Sequence, residues 1–428
     1  MVEKIEKRDR SHGFLKNIGV LLTGTGIAQI LPIAMMPVLT RFYSPEEFGI
    51  WAIYVALVAI VSVIVAGRYE LAVMMPRTRR KALDVFFLSL VVVLGSSVLL
   101  LLVVALFGPM ALRGVGYEEL GQGLYLVPLG VGLAGALQAF TYWNNRNSNF
   151  TVSARAKVVQ ASGMVLVQLA LAVVLPGIGL IVGMVAGSFA AVMYCGWRFW
   201  KERNYLLRSC NRRRLCRVAR DYSQFPLYSS MGALLDSAAL QAPVLFISRL
   251  FDTAVAGVFG LTFRALSMPS SLISGALSQV LYQKVVKLCH DGAEGLHLYI
   301  FRLFIALCAL AVPAVVILHF YGEPIFVFVF GEAWRQAGQL SQILVFAVGI
   351  RFAVSPLSSV LLLKGNLRLG FVWQAMYFCT LMLVLWLFRH WDVYRYLAVF
   401  AVHELVLYLL YLVFILAGAK RIAAKEVS

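Results

Sequence analysis

Long apolar segments alternate with short polar segments along most of the chain. A helix that crosses a bilayer needs roughly 20 apolar residues in a row. The pattern therefore predicts an all-α polytopic membrane protein. Its twelve predicted spanning helices are 14–39, 48–67, 82–107, 121–143, 156–175, 177–197, 223–248, 254–281, 300–321, 336–362, 369–388 and 396–417.

Lys and Arg residues in the connecting segments indicate the orientation of these helices, because basic residues concentrate in short cytoplasmic loops. With the N-terminus placed inside, 30 of the 38 basic residues fall in inside segments and six fall in outside loops. The remaining two are Arg264 and Arg351, which lie within spans. We therefore expect both termini to be cytoplasmic.

The longest inside segment, residues 201–221, is strongly basic and divides the spans six and six. We expect this linker to lie at the membrane surface, where anionic lipid attracts Lys and Arg. The predicted domains are an N-terminal six-helix lobe, 1–200, and a C-terminal six-helix lobe, 222–428.

A short sequence recurs at an offset of 208 residues, in 39–51 and again in 247–259. Each copy joins the first and second span of a six-span half, so the halves are predicted to be parallel repeats. Parallel repeats are typical of transporters whose two lobes surround a central site. The matched positions are Arg41 with Arg249 and Gly49 with Gly257.

The composition supports a membrane protein, with 61% hydrophobic and 14% charged residues. A soluble domain carries about 25% charged residues. The net charge of +18 does not indicate nucleic-acid binding, because the basic residues are spread between apolar segments. The six cysteines show no zinc-type spacing, and no nucleotide-binding or hydrolase motif occurs, so we expect no metal site and no enzyme activity.

Small residues recur every fourth position in the sixth predicted span. Such a stripe lets a neighbouring helix approach closely. We interpret it as a packing surface without chemistry. Its members are Gly179, Gly183, Gly187 and Ala191.

Four charged residues lie deep inside predicted spans, well away from the span ends, where each costs free energy unless it has a partner or water. Arg264 and Arg351 are candidates for binding an anionic, diphosphate-bearing substrate, because guanidinium groups offer paired donors. An ion pair between Arg264 and Asp236 is the alternative. Asp236 and Glu404 are also candidates for proton binding that couples transport to an ion gradient.

One further charged pair lies at the inner end of the second predicted span. Arg68 and Glu70 are two residues apart, where the apolar run gives way to a basic segment. We expect them to form a solvated pair at the membrane interface.

Three stretches carry a family resemblance: "LTRFYSPEEFG" from residue 39, "RYELAVMMP" from residue 68, and most of 225–285. They resemble the bacterial polysaccharide and O-antigen flippases of the multidrug/oligosaccharidyl-lipid/polysaccharide (MOP) exporter superfamily. That resemblance implies twelve helices in two six-helix lobes around a central cavity. It also implies a location in the inner, cytoplasmic membrane of a bacterium.

The same resemblance implies a function. It is the transfer of an undecaprenyl-diphosphate-linked oligosaccharide to the outer leaflet, without a cofactor, driven by an ion gradient with H+ or Na+ as candidate coupling ions. A polysaccharide polymerase and a chain-length regulator are candidate partners. Two alternatives stay open at this point, a multidrug/cation antiporter of the same superfamily and a membrane glycan polymerase or ligase.

Overall fold

The computed structural model confirms an all-α protein. It describes residues 26, 28–115, 117–175, 177–201, 211–290, 295–362 and 367–426. No strand occurs in these ranges. The predicted first span begins at residue 14, so its beginning lies outside the described residues, as does part of the basic linker.

Most helices of the first half are long. Two of them, α3 and α8, are too short to span a membrane. The elements are α1 (Ala28–Phe42), α2 (Pro45–Val65), α3 (Tyr69–Ala72), α4 (Arg79–Val115), α5 (Gly123–Arg146), α6 (Phe150–Leu171), α7 (Gly179–Lys201) and α8 (Arg212–Asp221).

The second half consists of long helices with irregular turns at their ends. A π-helical turn, Phe225–Ser229, precedes α9, and a 3-10 segment, Ser355–Leu362, follows α12. The helices are α9 (Ser230–Leu250), α10 (Thr253–His290), α11 (Leu296–Phe330), α12 (Arg335–Val354), α13 (Leu367–Leu387) and α14 (Val393–Glu426).

Every predicted span overlaps one of these helices. Within the described ranges, nine helices are long and apolar enough to cross a membrane, and α1, α6 and α10 fall outside that set. The described part of α1 is short, and polar residues such as Arg155 and Lys157 interrupt α6. The count of twelve spans therefore stays a prediction.

The boundaries of α2 follow from local chemistry. Ser44 and Glu47 form a reciprocal capping box in which the Ser44 amide donates to Glu47 Oε2 at 2.7 Å, and Pro45 occupies the first helical position. The helix ends before two successive left-handed residues, Gly67 at φ 56° and Arg68 at φ 58°. Because a residue with a side chain rarely adopts that conformation, Arg68 is held there by its surroundings.

The chain packs as two compact units, the first ending at Gln241 and the second beginning at Ala242. This division falls inside α9. The start of α9 belongs to the first unit, where the Ser237 hydroxyl donates to the carbonyl of Ala59 on α2 at 3.1 Å. The two predicted six-helix lobes, 1–200 and 222–428, were defined by the sequence repeat, and they stay a prediction.

The glycine stripe of α7 packs against α6, as the sequence predicts. A Cβ atom on Gly183 would lie 2.9 Å from the carbonyl oxygen of Met164, and one on Gly187 would lie 2.7 Å from the Met164 amide nitrogen. These neighbours are backbone atoms that cannot rotate away. The two helices therefore depend on glycine for their close approach.

The helix boundaries repeat at the same offset as the sequence motif. Helix α1 ends at Phe42 and α9 at Leu250, while α2 begins at Pro45 and α10 at Thr253. At the matched positions, Arg41 and Arg249 are exposed, and Gly49 and Gly257 are buried.

Candidate functional site

Arg351 lies in the last turn of α12, where a proline ends the helix. Ser355 keeps right-handed helical dihedral angles, but Pro356 has no N–H to donate to the carbonyl four residues earlier, so the chain continues as a 3-10 segment from Ser355. This change of helix type places the Ser355 hydroxyl beside Tyr408 of α14, with which it forms a hydrogen bond. Arg351 thus lies at a break in an otherwise apolar element.

Two aromatic rings flank the Arg351 guanidinium. Its Cζ atom is 5.6 Å from the ring centroid of Tyr408 and 5.8 Å from that of Phe263. The guanidinium also forms a hydrogen bond with the Tyr408 hydroxyl. Cation–π contacts of this kind stabilise a cation where water is scarce. Arg351 as a whole is half-buried.

Glu404 supplies the negative charge of the same cluster. It is 1% exposed, and the Tyr377 hydroxyl donates to its Oε1 at 2.7 Å. Arg351 attracts both the Glu404 carboxylate and the two tyrosine oxygens. The cluster therefore contains one cation and one carboxyl group, each bonded to a tyrosine hydroxyl.

His403 adds a second titratable group next to Glu404. Its Nε2 lies 3.1 Å from Thr380 Oγ1, and its Nδ1 lies 3.9 Å from Glu404 Oε1. The Thr380 hydroxyl hydrogen is directed to the backbone, with the Met376 carbonyl at 2.8 Å. Because a hydroxyl has a single hydrogen, the Thr380 oxygen accepts from His403 Nε2.

This assignment fixes what the other ring nitrogen can do. A neutral imidazole carries one N–H, here on Nε2, so Nδ1 presents a lone pair. Within the described part of the chain, that buried Nδ1 has no hydrogen-bond partner. In this assignment Nδ1 and the Glu404 carboxylate are both acceptors, and they lie 3.9 Å apart, beyond hydrogen-bond distance.

An aromatic stack on α13 and α14 fixes the position of Tyr377. Trp373 stacks on Tyr377 with ring centroids 5.2 Å apart and on Tyr411 with centroids 3.7 Å apart. Tyr408 meets the Trp373 ring edge-on at 6.0 Å. Contacts of this geometry restrict ring motion, so the Tyr377 hydroxyl is held toward Glu404.

The sequence pattern does not single out the tyrosines of this cluster. Tyrosine in an apolar segment is common at membrane interfaces and in packing, so Tyr377 and Tyr408 looked ordinary. The available signal was spacing, since Glu404 and Tyr408 are four residues apart and share a helix face. Together with Arg351, they form the cluster called here the Arg351–Glu404 cluster, which also includes Tyr377, His403 and Thr380.

Arg264 lies on α10, in the same unit as the cluster. The neighbouring Thr262 hydroxyl lies 2.8 Å from the carbonyl of Val258 and 3.1 Å from that of Ala337 on α12, which ties α10 to α12. The adjacent Phe263 contacts Arg351. Arg264 is half-buried. Asp236 belongs to the first unit, so its pairing with Arg264 stays a prediction.

Glu70 differs from the expectation of a solvated pair. Its side chain is 0% exposed, whereas that of Arg68 is 18% exposed, and Arg68 Nη1 lies 3.8 Å from Glu70 Oε1. Burial raises the pKa of the Glu70 carboxyl, and the Glu70 backbone amide and Arg68 offset part of that rise. The left-handed turn at Arg68 folds α3 inward, which the sequence pattern does not reveal.

Comparison with known proteins identifies a family and two partial relatives. Residues 38–339 match the model of a family described as polysaccharide biosynthesis protein. The chain is 25% identical over 148 residues to an uncharacterized membrane protein in the cps region of Klebsiella pneumoniae. It is 22% identical over 162 residues to the teichuronic acid biosynthesis protein TuaB of Bacillus subtilis strain 168.

These two alignments cover only part of each protein. They span 34% and 37% of this chain, and 30% and 33% of the respective relatives. The chain thus spans about a third of the length of the curated relatives it matches.

Two solved structures share the fold across almost the whole chain. An inward-facing multidrug resistance MATE family transporter of the MOP superfamily matches with a TM-score of 0.71 at 14% identity, over 94% of this chain and 98% of that one. The lipid II flippase MurJ in an inward closed conformation matches with a TM-score of 0.70 at 13% identity, over 95% and 90%. These likenesses show that the chain has the all-helical fold of these transporters, and the count of twelve spans stays a prediction.

Proposed function

Because the chain belongs to the family of polysaccharide biosynthesis proteins, we propose that it is a membrane flippase. Its substrate is a lipid-linked oligosaccharide carried on undecaprenyl diphosphate, which it transfers from the cytoplasmic to the outer leaflet by alternating access. The transferred unit serves the synthesis of O-antigen or another surface polysaccharide. The single observation that carries this proposal is the Arg351–Glu404 cluster in an apolar helical unit of this family.

The arginines of the second unit suit an anionic substrate. An arginine near the centre of a bilayer costs at least ~2.5–3.5 kcal/mol, so it needs a partner or water. Arg351 has five N–H donors, and the hydrogen bond with Tyr408 accounts for part of them. A diphosphate offers several acceptor oxygens at the geometry that guanidinium groups match. In the proposal, Arg351 and Arg264 bind the diphosphate that links the lipid to the sugar.

Glu404 provides the means of coupling in this proposal. When it is ionised, it attracts Arg351 and competes with the substrate for it. When Glu404 takes up a proton on a carboxylate oxygen, its charge is lost and Arg351 is released toward the diphosphate. Proton entry and substrate binding thereby become linked, because each changes the affinity for the other. Asp236 is a second coupling candidate and Na+ an alternative ion.

The cluster favours this function over a multidrug/cation antiporter. An antiporter needs an acidic group that is available to an organic cation. Glu404 is 1% exposed, bonded to Tyr377, and attracted by Arg351. It is therefore already compensated by a protein cation. The likeness to the multidrug transporter concerns the fold alone.

The remaining parts of the proposal concern place and partners. The excess of basic residues in inside segments supports cytoplasmic termini, and a family role in polysaccharide synthesis supports the inner membrane of a bacterium. A polysaccharide polymerase and a chain-length regulator would use the product on the outer face. The chain itself is proposed not to be an enzyme.

Deletion of the gene tests the transport proposal against a glycan polymerase or ligase. We expect loss of surface polysaccharide and accumulation of single lipid-linked repeat units that an impermeant glycan-binding probe cannot reach in spheroplasts, whose inner membrane is intact and exposed. Single repeat units that the probe reaches on the outer face would contradict a flippase and support a polymerase or ligase. Normal surface polysaccharide in a strain without a related gene would contradict both.

A further inference from the structure

A basic cleft lies at the start of α4, far along the chain from the Arg351–Glu404 cluster. It has a volume of about 350 Å³. Its lining residues come from the beginning of α4 and from α8, both in the first unit. They are Thr78, Arg80, Lys81, Asp84 and Arg214.

Helix α8 forms one wall of the cleft because it is amphipathic. Val218 is 3% exposed and joins the apolar cluster around Phe86 and Trp143, against which Leu215 also packs. The opposite face of α8 carries exposed arginines. Lys81 of α4 binds α8 directly, with its Nζ 2.8 Å from Asp221 Oδ2. The wall is therefore attached to α4 by both apolar packing and an ion pair.

Asp84 is the unusual member of the lining. It is 8% exposed, and it forms no hydrogen bond or ion pair with any residue of the described ranges. It lies in a cleft whose other charged members are cations. The cleft thus combines a cationic surface, suited to a phosphate, with one carboxylate, suited to a cation.

The position of the cleft matches a membrane surface. The residues from Arg77 to Lys81 are polar and exposed, and the apolar run of α4 begins immediately afterwards at Ala82. Such a boundary lies at the level of lipid headgroups. Met75, just before the cleft, is 63% exposed, as expected for a side chain that contacts lipid.

We propose that this cleft binds a phosphoethanolamine group, with its phosphate on Arg80, Lys81 and Arg214 and its ammonium on Asp84. A purely anionic ligand would be repelled by the Asp84 carboxylate, which lines the same cleft. A zwitterionic group satisfies both parts of the lining. The group reaches the cleft as the headgroup of phosphatidylethanolamine or as a free phosphoethanolamine. This site is independent of the transport proposal.

Lipid retention by the purified full-length protein tests the proposal. The protein is equilibrated with mixed micelles of equal phosphatidylethanolamine and phosphatidylglycerol, and retained lipids are counted by native mass spectrometry. We expect wild type to favour phosphatidylethanolamine about fivefold, the factor that one partly exposed charge pair provides. Equal retention of the two lipids by wild type would overturn the proposal without any variant.

Variants assign the charges. Asp84→Asn should bring the ratio of the two lipids close to one, and the double variant Arg80→Gln with Arg214→Gln should lower retention of both by roughly tenfold. Arg213→Gln is the matched control, because Arg213 is exposed on α8 but does not line the cleft. An unchanged ratio in folded Asp84→Asn would overturn the role of the carboxylate.

Soluble O-phosphoethanolamine distinguishes the two sources of the ligand. Displacement of the retained lipid by the soluble compound would support the headgroup chemistry and would indicate that the ligand is free phosphoethanolamine. Retention of phosphatidylethanolamine against it supports the same chemistry and assigns the lipid.

Discussion

At the scale of single residues, the second unit holds charge in an apolar surrounding by distributing it over hydroxyl groups. Arg351 binds Tyr408, and Glu404 binds Tyr377, so the two charges attract each other without direct contact. Such an arrangement can be changed by one proton, because the loss of the Glu404 charge removes part of what holds Arg351. The sequence predicted Arg351 and Glu404 from their charge but gave no means of placing them together.

Removing the Tyr377 hydroxyl tests the importance of this arrangement. Tyr377→Phe keeps the stack on Trp373 and deletes the hydrogen bond to Glu404. A hydrogen bond to a charged group contributes roughly 1.5–3 kcal/mol. We therefore expect transport to fall about tenfold or more and its response to a proton gradient to change. Tyr125→Phe, at an exposed position in the first unit, is the control.

Glu404→Gln complements that variant, because it imitates a permanently protonated carboxyl. Transport by this variant should no longer respond to a proton gradient. Unchanged transport and gradient response in both Tyr377→Phe and Glu404→Gln would contradict the coupling role.

Glu70 provides a prediction about stability and pH. Burial raises the pKa of its carboxyl above the ordinary value of 4.5. The folded state therefore holds its proton more tightly than the unfolded state. This contribution to stability is complete below pH 4.5 and is lost as the pH rises through the folded-state pKa.

Glu70→Gln should therefore lose less stability than wild type between pH 4.5 and pH 8, as measured by thermal unfolding of the purified protein. The control is Glu119→Gln, since Glu119 is exposed. If the melting temperatures of wild type and Glu70→Gln fell in parallel over this pH range, the pKa of Glu70 would not be raised in the folded state.

At the scale of helices, hydrophobic pattern alone predicted where the elements lie. Each of the twelve predicted spans overlaps a helix, because an apolar run of that length has few other stable forms in a membrane. Local departures escaped prediction where tertiary contacts decide the backbone. The left-handed Arg68 and the 3-10 segment after Val354 are two such departures, although Pro356 was a signal for the second.

Packing of α6 on α7 yields a prediction at this scale. Gly187→Ala would place a Cβ 2.7 Å from the Met164 amide nitrogen and 2.8 Å from the Met164 Cβ. The helices would have to separate, and overpacking of this kind costs about 1–3 kcal/mol. We expect a lower melting temperature in detergent. Gly196→Ala on the same helix has nothing within 4 Å of its new Cβ and should behave as wild type. Equal melting temperatures would contradict the packing role.

At the scale of the whole molecule, the family and the fold were accessible from sequence, and the site was accessible only in part. The repeated motif, the basic loops and the resemblance led to a flippase fold, and the likeness to a MATE transporter and to MurJ agrees. The pairing of His403 with Thr380 required the side-chain geometry of two helices. Arg264 was predicted either to bind the substrate or to pair with Asp236. Asp236 and Arg264 belong to different units of the chain, so both roles stay predictions.

Translocation by the purified protein in proteoliposomes tests the central claim most directly. A fluorescent undecaprenyl-diphosphate oligosaccharide is placed in the outer leaflet of the liposomes, with an inward or outward proton gradient. Transfer to the inner leaflet is followed as the fraction of fluorescence that a membrane-impermeant quencher can no longer remove. The account predicts gradient-dependent transfer by wild type, loss of transfer by Arg351→Ala at normal protein level, and full transfer by Arg395→Ala, whose side chain is 80% exposed. Equal transfer by wild type, Arg351→Ala and protein-free liposomes would contradict it.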